Sequence, residues 1–163
     1  MSDESGALAK LLEWLEKAQI KFCVIGGQGI NAYVEPLVSL DLDLVLASEQ
    51  IEDAVRKLSR DFKAERFPHS INLSFPGSDL RVQIQTDPRY FDFVARSRPM
   101  SVLGIEMPVA DIKDLLRAKV WAVTDEGRRP SKRQKDLADI GRILEAYPLL
   151  RPEIPSDILS RLF

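Results

Sequence analysis

The sequence predicts an α+β fold, a mixed β-sheet with flanking helices followed by a helical C-terminal part. First, residues 22–46 read as a strand–helix–strand unit: an apolar run ends in two glycines, a short segment follows, and a second apolar run begins. Second, from Phe62 to Ala110 short β-prone segments are separated by Pro68, Pro76 and Gly77, the pattern of antiparallel strands joined by tight turns. Third, the sequence beyond Ala110 has helical periodicity. At 163 residues the chain can bury a proper core. We read residues 1–110 as the α/β core with its N-terminal helix, and 111–163 as a helical subdomain packed on it.

The elements follow in order. Leu8, Leu11, Leu12 and Leu15 recur at helical spacing over residues 6–18, giving an amphipathic helix whose apolar face Trp14 either extends or leaves as a contact surface. KFCVIG is a short buried strand, and GQGINAYV a short helix broken by Pro36. Residues 40–47 form the second strand. Ser48 is placed to cap a helix with Ile51, Val55 and Leu58 on one side. KAERF, SINLSF and DLRVQIQT are strands, and VLGIEMPVA is another extended pair turning at Gly104. DIKDLLRAKVWAVTDEG is a helix. Ser131 with Gln134 resembles a capping box that starts the next one, which stops before Pro148, and PSDILSRLF closes the chain as a short helix.

Composition excludes several classes. Apolar residues make up 45% and charged residues 29%, as in an ordinary globular protein. No apolar run approaches the roughly 20 residues that span a bilayer, and the acidic, then amphipathic, start is unlike a secretory signal. The single Cys23 excludes an internal disulfide and fits the reducing cytosol; within its apolar run it reads as a structural thiol. The single His69, in a turn-like stretch, argues against a histidine dyad or a zinc site and reads as surface decoration. The net charge of −2 gives no global attraction to nucleic acid, so such binding would need a local patch; Arg128, Arg129, Lys132, Arg133 and Lys135 form one, equally readable as a solvated loop.

Chemistry concentrates in the first strand–helix–strand unit. Successive strand residues face opposite ways, so Asp41 and Asp43 share one face while Leu40, Leu42 and Leu44 turn to the core. Two carboxylates on one strand face repel unless a cation lies between them, and an oxygen-only pair suits Mg²⁺ or Mn²⁺. Gly26 and Gly27 open the short helix, where backbone N–H groups accept an anion and glycine admits a close phosphate. Alone, a glycine pair is ordinarily a turn, and an Asp-x-Asp a pair of solvated residues. Together at this spacing they point to phosphoryl or nucleotidyl transfer, chemistry made mostly of positioning and charge neutralisation.

With these residues the chain resembles the nucleotidyltransferase superfamily typified by DNA polymerase beta. The signature is a glycine pair, a short helix and an acidic Asp-x-Asp on the next strand, here Gly26, Gly27, Asp41 and Asp43. More narrowly, it is similar to single-domain bacterial nucleotidyltransferases related to abortive-infection toxins, whose helical half carries a lysine and a later Lys-Asp-x-x-Asp; here these are Lys119 and the run Lys135, Asp136, Leu137, Ala138, Asp139. The resemblance spans residues 22–144. It implies Asp41 and Asp43 as metal ligands and catalytic residues, Lys119 as a catalytic, phosphate-neutralising cation, and nucleotide contacts from Gly26, Gly27, Gln28, Ser39, Arg133, Lys135 and Asp136. Three departures stand out. Ser39 replaces the family's threonine, Leu37 stands in place of its arginine, and the third-carboxylate position on a later strand is Gln83, flanked by Val82 and Ile84, with Gln85 on the same face. Asp87 substitutes only if that strand bends. A glutamine offers a carbonyl oxygen but no charge and no base.

Two functional expectations result, beside a third reading of a structural or interaction protein whose acidic pair has no ligand. The first is a cytoplasmic Mg²⁺-dependent nucleotidyltransferase, moving a nucleoside monophosphate from a nucleoside triphosphate to an RNA or protein hydroxyl; the resemblance implies a toxin–antitoxin or phage-defence setting. The second is a catalytically weakened binding module of the same fold that acts through a partner protein, with Gln83 and Leu37 favouring it. No membrane association is expected from either. On a helix surface the pairs Lys135 with Asp139 and Arg133 with Asp136 also read as plain solvated ion pairs.

Overall fold

A computed structural model describes residues 3–39 and 41–163, with side chains described from Gly6 onward except that of Ser48. The expectation for Leu40 and the capping role of the Ser48 side chain therefore lie outside the described residues.

The chain runs α1 (Asp3–Lys17), β1 (Phe22–Ile25), α2 (Gly26–Asn31), β2 (Asp41–Leu46), α3 (Ile51–Leu58), β3 (Lys63–Phe67), β4 (Ser70–Ser74), β5 (Arg81–Gln85), β6 (Arg98–Val102), β7 (Ile105–Val109), α4 (Ile112–Thr124), α5 (Pro130–Ala146) and α6 (Ser156–Leu159). Seven strands form one mixed sheet in the order β3-β4-β5-β2-β1-β7-β6. The β3–β4–β5 wing is antiparallel, β5 meets β2 in parallel, β2 and β1 are antiparallel, and β1 lies parallel to β7. The stretch DPRYFDF, which has no clear period in the sequence, is a 3-10 helix over Pro88–Phe93. The β6–β7 hairpin turns through Leu103 and Gly104, both at positive φ, as a two-residue hairpin requires.

Strand alternation explains the two faces of the β4–β5–β2 region. Leu42, Val82 and Leu73 lie in one row and Leu44, Ile84 and Ile71 in the next, all buried. The intervening residues form the polar rows Asp41–Arg81–Ser74 and Asp43–Gln83–Asn72 on the opposite face. Toward its end β2 is covered on both sides, since Val45 and Leu46 are buried as well. Leu8, Leu11 and Leu15 of α1 and Ala54, Val55 and Leu58 of α3 join the core, and Trp14 packs partly buried against it, extending the apolar face of α1.

Two local expectations are corrected. Helix α5 starts at Pro130 rather than through a capping box at Ser131: proline at the first helical position has the right φ and no N–H to leave unpaired. Asp136 and Asp139 are not solvated surface pairs; both are buried, because α5 turns that side toward α4. Cys23 is fully buried, which pushes its thiol up to about 12, as befits a packing residue. His69 is exposed in the β3–β4 turn. Among the described residues no helix is long and apolar enough to cross a membrane.

Asn31 is one of the side chains that anchor the loop between α2 and β2. Asn31 Nδ2 donates to the Leu37 carbonyl at 2.7 Å, and Asn31 Oδ1 accepts from Leu37 N at 3.1 Å and from Arg142 at 2.8 Å. Asn31→Ala removes three hydrogen bonds at once. It is expected to cost about 1–3 kcal/mol, read as a lower urea midpoint with an unchanged m-value.

Candidate functional site

Gly26, at φ +65°, follows the last residue of β1, and Ile25 pairs with Asp43 in the sheet register. A Cβ on Gly26 would run into the Asp43 carboxylate, so glycine is required both by the backbone angle and by the approach of that side chain. A Cβ on Gly27 would crowd Ser39 Oγ at 3.3 Å. Gln28 is buried and its Nε2 donates to the Ser39 carbonyl at 2.8 Å. Gly27, Gln28 and Ser39 therefore come together beside the start of α2.

Asp43 lines a small pocket of about 120 Å³ with Gly26, Gln83, Lys119, Arg128 and Asp136, closed by Tyr90 and Leu115. Its Oδ1 is buried and has no hydrogen-bond partner. A buried carboxylate oxygen left unpaired is costly and calls for an explanation. Burial raises this carboxyl to about 6 from its ordinary 3.8; Lys119 opposes the rise and Asp41 adds to it. Asp41 is set differently: its half-exposed side chain pairs with Arg81 at 3.1 Å.

Gln83 lies in register with Asp43 on the neighbouring parallel strand. The position that the resemblance assigns to a third carboxylate is thus beside Asp43, and it carries an amide. Gln85 also lines the pocket. Asp87 is engaged elsewhere, accepting from Arg89 N at 3.0 Å and Arg89 Nε at 3.1 Å at the start of the 3-10 helix.

Lys119 reaches the pocket from α4. Its ammonium is held 3.1 Å from Asp136 Oδ1 and 2.9 Å from Asp139 Oδ2, with side-chain exposures of 13%, 1% and 2% for the three residues. Asp136 also accepts from Arg128 at 2.8 and 3.1 Å, and Asp139 from Arg142 at 3.0 Å. Arg142 goes on to donate to Asn31 and to the Glu35 carbonyl at 2.7 Å. Burial alone would pull the Lys119 ammonium down, but Asp139 and Asp136 outweigh it and hold it above its ordinary value, so it is charged at neutral pH.

The remaining expected residues are placed less centrally. Arg133 donates to the carbonyls of Asp125 and Arg128 at 2.9 and 3.2 Å, bracing the α4–α5 connection. Lys135 is exposed on α5, close enough to bias the Asp43 carboxyl. Leu37 is exposed and lines a separate cleft of about 520 Å³ with Val38 and Leu103. Sequence reading did not single out Arg128 or Tyr90 for the pocket. Arg128 was visible only as one of a basic run, and Tyr90 gave no signal.

Among the described residues no cluster of three or more metal-ligating side chains occurs. The donors present nevertheless fit a hard cation: an orphaned buried carboxylate oxygen, the Gln83 amide oxygen on the adjacent strand, and Asp41 on the same strand face. Magnesium commonly takes only one or two carboxylates and fills its shell with phosphate and water.

No protein-family model matches the chain, and no curated protein matches its sequence. Its fold does match solved structures. ANT(2'')-Ia in complex with adenylyl-2''-tobramycin superposes with a TM-score of 0.60 at 13% identity, over 97% of this chain and 98% of that one. The lincosamide antibiotic adenylyltransferase LnuA, lincomycin-bound, gives 0.56 at 12% identity, over 83% and 95%. An antigenic nucleotidyltransferase-like protein from Paracoccidioides brasiliensis gives 0.56 at 18% identity, over 99% and 93%. The chain has the nucleotidyltransferase fold.

Two outcomes are expected of this geometry. The Asp43 carboxyl holds a proton more tightly folded than unfolded, so in metal-free protein stability falls as pH rises from about 4 to about 6 and levels off above that. Asp43→Asn should raise stability above pH 6 by roughly 2–3 kcal/mol, with the gain vanishing near pH 4, in urea titrations across that range. Asp139→Ala leaves Lys119 and Arg142 short of a buried partner and should cost about 3–5 kcal/mol, read as a fall in the urea midpoint.

Proposed function

We propose that this protein is a Mg²⁺-dependent nucleotidyltransferase, transferring a nucleoside monophosphate from a nucleoside triphosphate to an acceptor hydroxyl. The observation that carries this reading is the buried, unpartnered Asp43 Oδ1 facing Lys119 and Arg128 in a pocket floored by Gly26. The shared fold supports it, as do two of its structural neighbours, an antibiotic adenylyltransferase and a complex with an adenylylated antibiotic.

Asp43, Asp41 and the Gln83 amide would hold the cation, which when bound neutralises phosphate charge and offsets the cost of the buried Asp43 carboxylate. Gly26, Gly27, Gln28 and Ser39 would cradle the phosphates, where a side chain at either glycine would fill the space. Lys119, kept charged and aimed by Asp136 and Asp139, would neutralise the α-phosphate charge that builds in transfer. Arg128 and Lys135 add positive potential, and Arg133 fixes the connection that bears Arg128. In the reaction the acceptor oxygen bonds to the α-phosphorus, the bond to the bridging oxygen breaks, and pyrophosphate leaves with that electron pair. The hydroxyl proton passes to water, since Gln83 cannot take it. The acceptor classes carried from the resemblance are RNA and protein hydroxyls, in a cytoplasmic toxin–antitoxin or phage-defence pair.

A second reading is favoured by one residue. With Gln83 in the acidic place, the same pocket would serve a binding module with weak catalysis that works through a partner protein.

Thermal unfolding with each nucleoside triphosphate, with and without Mg²⁺, tests the leading reading. At about 100 times the dissociation constant, one triphosphate should stabilise the protein by roughly 2.7 kcal/mol, only with metal, and not in Asp43→Ala. No shift at millimolar nucleotide sinks it. Pyrophosphate release that climbs at least tenfold in Gln83→Asp marks the weakened enzyme of the second reading.

A further inference from the structure

The polar face that carries Asp43 continues beyond it to the sheet edge. Glu65, Asn72 and Gln83 lie in one register row with Asp43, and Lys63, Ser74 and Arg81 in one row with Asp41. A pocket of about 250 Å³ opens on this face, lined by Asp41, Glu65, Asn72, Arg81, Gln83 and, from the first turn of α5, Lys132. Gln83 lines both this pocket and the Asp43 pocket, so the two share a wall.

The polar groups here are available. Asp41 pairs with Arg81 on the open surface and faces the cation site on the same strand face. Among the described residues, Glu65 and Lys132 have no ion-pair partner, and the side chains of Asn72 and Gln83 hydrogen-bond to no protein group. One carboxylate, one ammonium and the Asn72 amide are therefore left to meet a ligand, with Gln83, whose carbonyl faces the cation site, at the shared wall. Strands spaced about 4.8 Å apart put Glu65 roughly 10 Å from Gln83 across the sheet, the span of a small molecule.

Resting on the transferase reading above, we propose that this pocket is the acceptor subsite and that it takes a compact hydroxyl-bearing zwitterion. Its ammonium pairs with Glu65, its anionic group with Lys132, and its hydroxyl lies at Gln83, next to Asp43. The volume is the liquid room of about eight waters, enough for a small molecule and not for a strand. A polynucleotide needs a continuous positive groove, whereas the lining of this pocket sets Asp41 and Glu65 against Arg81 and Lys132, with no net charge. Complementary opposite charges select such a partner and repel chains of one sign.

The test uses the full chain with Mg²⁺ and a mixture of four α-³²P-labelled nucleoside triphosphates. The probes are free L-serine, L-threonine and L-tyrosine as hydroxyl zwitterions, glucose as the neutral hydroxyl compound, and a 20-nucleotide RNA as the polyanion. The expected result is label on a zwitterionic probe, with its KM raised at least tenfold in Glu65→Gln and in Asn72→Leu while the nucleotide KM is unchanged. Both residues are exposed, and the metal–nucleotide thermal shift of each variant verifies that the fold and donor site persist. Label on RNA or glucose in preference, an unchanged probe KM in both variants, or no labelled zwitterion from protein that still shows the nucleotide shift overturns the proposal. Loss of the nucleotide shift in the parent protein overturns the transferase reading itself, and the subsite with it.

Discussion

The structure depends on a buried ammonium. Lys119 sits between Asp136 and Asp139, and each aspartate is shared with an arginine, so five charged groups form one chain from Arg128 to Arg142. Charges removed from water are tolerable only when paired with good geometry. Each member of this chain is therefore fixed by the next. The chain joins α4 to α5 and, through Arg142, to Asn31 and the Glu35 carbonyl on the loop that leads to Ser39. The same set of pairs that locks the helical half also aims a cation at Asp43 and positions the loop beside the glycines.

Against this frame Asp43 is the unbalanced member. It is half-buried on the polar side of β2, with one carboxylate oxygen fully buried and unpartnered, and its raised proton affinity reports that cost. Strain or unmet polarity retained in a fold commonly marks a place where a ligand supplies what the protein omits. Gly26 belongs to the same arrangement, since only a residue without a side chain lets the carboxylate lie where it does.

Gln83 sets a neutral amide at the register position beside Asp43. It can share a cation through its carbonyl, but it adds no negative charge and takes up no proton. On the transferase proposal, such a site would lean on Lys119 and Arg128 for charge neutralisation and on positioning for rate.

By itself the sequence determined the α+β class, nearly every strand and helix, the shared face of Asp41 and Asp43, and the pairing of two glycines with two aspartates. These are local facts, set by periods of 2.0 and 3.6 residues and by proline and glycine punctuation. It left the polarity of α5 open: Lys135 with Asp139 has the spacing of a surface pair, and only the packing of α5 on α4 showed that Asp136 and Asp139 are buried around Lys119. Tertiary structure also decided that β5 lies beside β2, which puts Gln83 next to Asp43, and that β3 and β4 extend the row to Asn72 and Glu65. Strand order and register depend on contacts between residues tens of positions apart. No local period encodes them, because they are fixed by which apolar faces can be buried together.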